Sequence, residues 1–465
     1  MTDTKEQKEA PRIDPKLKSR LILLICAILT FTVMNGTMFN VAIPDIAEHF
    51  GLMPSQVSWV MTGYILVFSI GSLMYGKLAD IFPIKNLLTF GLTLFFIGAT
   101  LGILAPNYPT LLAARIIQAL GGATIPALAF IIPARFIPDE RGRVFGIVSA
   151  TVAFASGLGP IAGGLIGGFL SWRFLFLFSM LSIVAIPFLR KWIPDEERRH
   201  GVVDIPGAVF IAASVASLLV FITTGLWWAP LMFATSLILF IWRTLTAEHP
   251  FIEPSLLKDG RYTTTVATSF LGTSVLFGMI FIIPIMLRDL YDLNTLAIGL
   301  VLFPGAMAAG LIGQAGGRLV DRKGSVPVVK LAMILVGFGT VLISTFAGFH
   351  PVVVALCVLV TYLGFPLVQS STANLLSSIV PEKQTGVGIG MFNLLNFMSA
   401  AIGSAVYGRI LDLETASFLL NPFARTNDNI IYSNLFLSLT GIALIALTIF
   451  LFRFRAGATT AVQKG

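Results

Sequence analysis

Charge is what this sequence has least of. Only 12% of its 465 residues are Asp, Glu, Lys or Arg, against about 25% in soluble globular chains. With 56% hydrophobic residues and a mean hydropathy of +0.89, the composition excludes a soluble domain, a disordered chain and a collagen-like one. Cysteine is almost absent: Cys26 and Cys357 both sit in apolar runs, which leaves neither a disulfide framework nor a cysteine metal knuckle. Histidine is scarce too, and His49, His200, His249 and His350 all read as loop residues. No H-x-x-x-H, G-x-S-x-G or phosphate-cradling loop appears, so neither enzyme chemistry nor a cofactor is expected. A repeated filter or charged ring, as an ion channel would need, is also missing.

What is present is apolar length. A membrane span takes about 20 residues, and fourteen runs of that kind can be drawn: 20–43, 57–79, 85–105, 110–134, 144–168, 172–190, 204–226, 227–243, 264–287, 296–317, 328–349, 351–379, 387–411 and 433–453. The first is too long for a signal h-region and lacks an A-x-A-like exit, so it is read as a permanent helix. The seventh and eighth meet at Trp227-Trp228 with hardly a loop.

An even number of spans puts both termini on one side. Of 31 basic residues, 26 then fall on that side, four (Arg173, Arg288, Arg409, Arg425) on the other, and Arg115 inside the fourth span. By the positive-inside rule both termini are cytoplasmic. The same asymmetry accounts for the net charge of +8 without nucleic acid.

The loop after the second span reads Gly76-Lys77-Leu78-Ala79-Asp80, and the loop after the tenth reads Gly317-Arg318-Leu319-Val320-Asp321. Both are cytoplasmic and they lie 241 residues apart. A repeat on this scale predicts two related six-helix bundles with an inserted helix pair between them. The expected divisions are a cytoplasmic tail over 1–19, a first bundle over 20–192, a linker with the inserted pair over 193–263, a second bundle over 264–455 and a tail over 456–465.

Three further patterns join the two loops. The fourth span has Arg115, Gln118 and Gly121-Gly122; the fifth has Gly157-Leu158-Gly159-Pro160-Ile161-Ala162-Gly163-Gly164; the first runs into Asn40-Val41-Ala42-Ile43-Pro44-Asp45. Together they resemble the signatures of the major facilitator superfamily. The fourteen-span layout is similar to its drug/proton antiporter branch. Tyr75 to Asp80, Phe303-Pro304-Gly305 and Tyr432 to Leu435 look closest to the Gram-positive tetracycline efflux proteins of the K and L classes. The resemblance implies an all-α integral membrane protein of the major facilitator fold, exporting small amphipathic compounds from a bacterial cell in exchange for protons. The alternative within that fold is an exporter of an endogenous metabolite or siderophore. The expected partners are a small-molecule substrate, protons and the bilayer, with the chain acting as a monomer and binding no nucleic acid.

Site residues follow from both lines of reasoning. Small residues and Pro160 in the fifth span predict a bendable, tightly packed seam, with Gly159, Pro160, Gly163 and Gly164 as its hinge. The resemblance puts the tenth span across that seam, with Gly305, Gly310, Gly313, Gly316 and Gly317 as its small residues. The two loops, through Gly76, Asp80, Gly317 and Asp321, are the expected gates. Arg115 is costly in lipid unless paired, functional or snorkelling outward. It is similar to the family's helix-four arginine, which assists proton transfer, and Asp45 is the nearest carboxylate in the topology. Asp204 resembles by position a helix-seven acid of tetracycline exporters, while Asp289 and Asp412 read as interfacial. No acid lies at mid-membrane: relatives carry one near Asn35-Gly36-Thr37 and another where this chain has Ser156. The cavity is therefore expected to be built of amides, with Asn35, Asn40, Gln118, Gln369, Asn393 and Asn396 as lining residues, and to favour uncharged or zwitterionic substrates.

Overall fold

The computed structural model describes residues 15–137, 141–198, 201, 203–248, 250–252, 254–381, 385–413, 418–424 and 430–454. The two expected tails lie outside these residues except for 15–19. Among the described residues there is no strand. Fourteen helices are long and apolar enough to cross a membrane: span 1 (Leu17–Phe50), span 2 (Pro54–Leu78), span 3 (Ile84–Ile103), span 4 (Tyr108–Ala129), span 5 (Ala150–Phe169), span 6 (Trp172–Trp192), span 7 (Ile205–Thr224), span 8 (Ala229–Thr246), span 9 (Gly260–Tyr291), span 10 (Thr295–Ile312), span 11 (Ser325–Phe346), span 12 (Pro351–Ile379), span 13 (Gly388–Leu411) and span 14 (Ile430–Arg453). The chain is thus an all-α, multi-pass membrane protein.

Two departures from the sequence reading have plain causes. Span 1 continues through Pro44 to Phe50, which puts His49 in its last helical turn and not in a loop. Span 6 tightens to 3₁₀ geometry over Leu181–Ala185, just before Pro187, whose ring denies the helix a backbone donor. Spans 7 and 8 do meet almost without a loop, because Gly225 turns the chain at φ +69°, a conformation side chains other than glycine's rarely adopt.

The repeat is visible in how helices cross. A Cβ on Gly121 of span 4 would collide with the Gly91 carbonyl and the Phe95 amide of span 3. A Cβ on Gly364 of span 12 would meet the Ala332 carbonyl at 2.9 Å and the Val336 amide at 3.0 Å of span 11. Gly98 and Gly339 make the reciprocal approaches, to the Gln118 and Thr361 backbones. The span 3 residues at these crossings, Gly91, Phe95 and Gly98, recur in span 11 as Ala332, Val336 and Gly339, each 241 residues on, the spacing of the two G-x-L-x-D loops. Small residues at matched positions let backbones touch where lipid offers no hydrophobic drive for association.

Two seams join the halves. Span 2 lies along span 13, with Leu73 against Gly390 and Pro54, Ser55 and Ser58 against Gly408. Span 5 lies along span 10, where Gly157 approaches Ala306 and Met307, and Gly164 approaches the Thr295 carbonyl at 3.0 Å and the Leu296 Cα at 3.2 Å. Gly159 and Gly163 are on a different face and pack on Thr37 and Met38 of span 1, inside the first half. The expected hinge therefore splits in two: Gly159 and Gly163 fasten span 5 to its own half, while Gly157, Gly164 and Gly168 form the seam. On span 10 the close partner is Gly299, which meets the Pro160 carbonyl; Gly305 and Gly316 instead face Tyr362, Leu367 and Ser370 of span 12. Gly313 lies outside the residues whose side chains are described, and Gly317 opens onto free space.

The inserted pair covers the first of these seams. Trp59 of span 2 donates to the Thr223 hydroxyl of span 7 (3.0 Å), and a cluster of Ala208, Ile211, Val215 and Leu219 packs with Leu66 of span 2 and Met391, Leu394 and Met398 of span 13. Asp204, expected as a proton carrier, is the clasp of this pair. Its carboxylate is 2% exposed and accepts from Arg243 Nε (2.8 Å), the Gly207 amide (3.2 Å) and the Phe251 amide (3.1 Å). Burial alone would raise its pKa, but these three donors hold the carboxyl below the ordinary carboxylate range.

Two predictions come from this packing. Gly121→Leu should cost about 1–3 kcal/mol by overpacking and lower the unfolding temperature of the purified protein, whereas Gly164→Leu should purify as a folded protein that no longer transports. Equal thermal losses in both would mean the seam is no more mobile than the span 3 and span 4 crossing. A group whose folded pKa is depressed stabilises above its unfolded value and ceases to do so as pH falls through the folded one. Wild type should therefore lose stability below about pH 4, the ordinary aspartate value, and Asp204→Asn should be less stable at neutral pH with a flatter profile between pH 5 and 3.

Candidate functional site

Arg115 is 1% exposed, so it does not snorkel. Its Nη1 donates to Gln118 Oε1 (2.6 Å) and Asn35 Oδ1 (3.0 Å), and its Nε to the Val60 carbonyl (3.3 Å). The guanidinium lies over the Phe39 and Tyr64 rings at 4.1 and 4.0 Å. The amide nitrogens of Asn35 and Gln118 both donate to the Ser179 hydroxyl of span 6, at 2.7 and 2.9 Å. Spans 1, 2, 4 and 6 thus converge on one cation. Among the described residues no Asp or Glu pairs with it. Asn35 and Gln118 are accordingly spent on Arg115, and the Tyr64 hydroxyl is buried without a partner.

Span 1 presents three faces. Thr37 and Met38 meet span 5, and Asn35 and Phe39 meet Arg115. Gly36 and Asn40, one helical turn apart, share the third. A Cβ built on Gly36 meets nothing within 4 Å. Asn40 is 5% exposed, and its Oδ1 is buried with no hydrogen-bond partner.

The second half carries its own polar chain. Gln369 Nε2 donates to the Thr273 hydroxyl (3.1 Å), which donates to Asn396 Oδ1 (3.4 Å). Asn396 is 5% exposed, and its Nδ2 has no acceptor. Asn393, a turn away, is exposed.

On the face opposite the two G-x-L-x-D loops the halves are fastened by carboxylates. Asp45 does not meet Arg115: it accepts from Arg288 of span 9 and from the Thr295 hydroxyl at the start of span 10. Ten residues separate Asp45 from Asn35, about 15 Å along a helix, and Asn35 takes the arginine. Glu48 is 3.9 Å from Arg288, and a cleft of about 530 Å³ opens here among Asp45, Glu48, His49, Trp172, Arg288 and Thr295. Asp412, at the end of span 13, accepts from the Ser55 amide at the start of span 2 (2.9 Å) and lies 3.5 Å from Arg409. Asp289 accepts from the Tyr432 hydroxyl.

On the face that carries the two G-x-L-x-D loops, the first loop is tied to its own half. Arg135 donates to the Ala79 carbonyl and to Glu196 (both 3.0 Å) and lies 3.6 Å from Asp80, whose side chain is 80% exposed. Lys77 donates to the Pro250 and Phe251 carbonyls (3.2 and 3.3 Å), which links the loop to the Asp204 clasp. Gly76 opens onto free space, and Asp321 is exposed.

Ser179, Tyr64, Thr273 and the Arg288 and Thr295 pair escaped the sequence reading. Of these only Arg288 left a signal, as one of four cations on a side that otherwise lacks them.

Comparison with known proteins agrees with this architecture. The Major Facilitator Superfamily pattern matches residues 23–404. The chain is 27% identical over 406 residues to the riboflavin transporter RibZ of Clostridioides difficile (strain 630), covering 84% of this chain and 88% of that protein. It is 26% identical over 463 residues to the methylenomycin A resistance protein of Bacillus subtilis (strain 168), covering 96% of each. Among solved structures, a bacterial homologue of the human lysosomal transporter Spinster, inward-facing and unoccupied, superposes with a TM-score of 0.68 at 13% identity, over 94% of this chain and 97% of that one. Fourteen apolar helices in two glycine-matched halves, closed around a buried polar interior, are the build of a membrane transporter and not of an enzyme, and the chain belongs to the Major Facilitator Superfamily.

Proposed function

We propose that this protein is a secondary exporter that moves small amphipathic compounds out of a bacterial cell by alternating access, in exchange for protons. It works as a monomer in the cytoplasmic membrane with both termini inside. The moving bodies are residues 20–192 and 264–455, with 193–263 as the linker that carries spans 7 and 8. The observation that carries this reading is the outer fastening of one half to the other by Asp45 on Arg288 and Thr295 and by Asp412 on the Ser55 amide.

A carboxylate used this way couples a proton to a gate. Asp45 holds spans 9 and 10 against span 1 through Arg288 and Thr295, and release of those contacts lets the outer ends part. The groups facing Asp45 are Glu48 and His49 on its own helix, Arg288 on span 9 and Thr295 on span 10. The route inward runs along span 1 to Asn35, Arg115 and Gln118. Gly76, Asp80, Gly317 and Asp321 serve the cytoplasmic side, where Lys77 and Arg135 hold the first loop. Gln369, Asn393 and Asn396 are the substrate-lining residues of the second half and Asn40 that of the first.

The likeness to a methylenomycin A resistance protein over nearly the full length of both chains supports export of an antibiotic, and tetracycline-like compounds belong to the same candidate set. The likeness to a riboflavin transporter supports a second reading, in which an endogenous metabolite is the cargo.

Cells with and without the protein should differ in accumulation of methylenomycin A, tetracycline or riboflavin, with less retained when it is present. In everted vesicles the exported compound should drive substrate-dependent proton movement. Asp45→Asn and Arg115→Ala should remove that proton movement while leaving downhill substrate flux. Transport without proton flux, or driven by a Na⁺ or K⁺ gradient, would end the antiport reading.

A further inference from the structure

We infer that the interior is a charge filter, in which the uncompensated Arg115 guanidinium, the space at Gly36 and the unpartnered Asn40 and Asn396 admit uncharged or anionic polar compounds and turn organic cations away. The inference rests on the exporter reading for its setting, but not on the direction of transport or its coupling.

Three observations carry it. The first is the charge balance. Arg115 is buried among neutral oxygens and ring faces, with no carboxylate partner among the described residues. Each acid close enough to a span to offset it is already engaged: Asp45 with Arg288, Asp204 with Arg243, Asp289 with Tyr432 and Asp412 with Ser55 and Arg409. The interior therefore carries a net positive field in a region where water screens poorly.

The second is space beside that charge. Gly36 adjoins Asn35, the acceptor of the Arg115 bond, and a Cβ placed there meets nothing within 4 Å. This is open room at mid-span, on the face of span 1 turned away from both spans 4 and 5.

The third is the pair of unused hydrogen-bonding groups. Asn40 Oδ1, one turn from Gly36, needs a donor, and Asn396 Nδ2, at the end of the chain from Gln369 through Thr273, needs an acceptor. Buried polar atoms left unpaired are costly, and a ligand that pairs them recovers that cost. A compound with a donor would satisfy Asn40 in the first half, and one with an acceptor would satisfy Asn396 in the second. A permanent cation would find no carboxylate and would meet the field of Arg115.

Equilibrium binding to the full-length protein in neutral-lipid nanodiscs tests this with three probes: riboflavin (uncharged), riboflavin 5′-phosphate (anionic) and ethidium (cationic). Two unit charges roughly 10 Å apart at an effective dielectric of about 20 interact enough to change affinity about tenfold. Wild type should bind both flavins about tenfold more tightly than ethidium. Gly36→Asp, which the open space accommodates, should gain about tenfold for ethidium and lose a similar factor for the phosphate, while Gly36→Ser keeps the wild-type order. Arg115→Met should lose the preference for the phosphate over riboflavin, and Asn40→Ala should weaken riboflavin binding. Should Arg115→Met fail to fold, the Gly36→Asp and Gly36→Ser pair decides alone. Ethidium binding as tightly as the phosphate in wild type, an order unmoved by Gly36→Asp, or no binding of any probe overturns the filter. Because binding involves neither direction nor protons, failure of the exporter reading would appear separately, as unchanged accumulation in cells with this binding order intact.

Discussion

A guanidinium held in a low-dielectric interior without a counter-ion is the constraint around which the first half is organised. Such a charge is tolerated only if every hydrogen can reach an oxygen or a ring face. For Arg115 that takes an amide from span 1, another from span 4, a carbonyl and a ring from span 2, and a hydroxyl from span 6 to orient both amides. Four helices must arrive at fixed depth and rotation for this to close. The cluster therefore specifies the bundle as much as the bundle buries the cluster.

What lets helices arrive so closely is the placement of small residues, and the two halves use the same solution. The crossings at Gly98 and Gly121 and at Gly339 and Gly364 keep backbones in contact within each half. Glycines meet backbone again along spans 5 and 10, but there the two halves are also fastened at one end by carboxylates that reach across, Asp45 to Arg288 and Asp412 to the Ser55 amide.

Much of this was legible in the chain. Fourteen spans, the repeat at 241 residues and the family all follow from apolar length and short motifs, because in lipid a helix must satisfy its own backbone and so declares itself by composition. The site was less legible, for reasons that can be named. Glycines in span 5 announced a packed helix, but which face each occupies depends on helix rotation, and so Gly159 turned out to fasten span 1 and not span 10. Asp45 was matched with Arg115 because both lie toward the outer side, but axial depth separates them, and Arg288 from the other half is nearer. Asp204 had the position of a proton carrier; only its three donors reveal a structural anchor. Ser179 and Thr273 are ordinary hydroxyl residues in apolar runs, with nothing in their neighbours to single them out.

The inserted pair introduces an asymmetry that the duplicated halves lack. Spans 7 and 8 lie over the seam of spans 2 and 13, tied by Trp59 and the Asp204 clasp, and among the described residues nothing equivalent lies over the seam of spans 5 and 10. Span 8 itself is only 17% buried and faces outward along most of its length. A molecule dissolved in the membrane thus meets two different flanks: one walled by an extra layer of helix, the other a single seam of small residues. An otherwise two-fold molecule thereby acquires a front and a back.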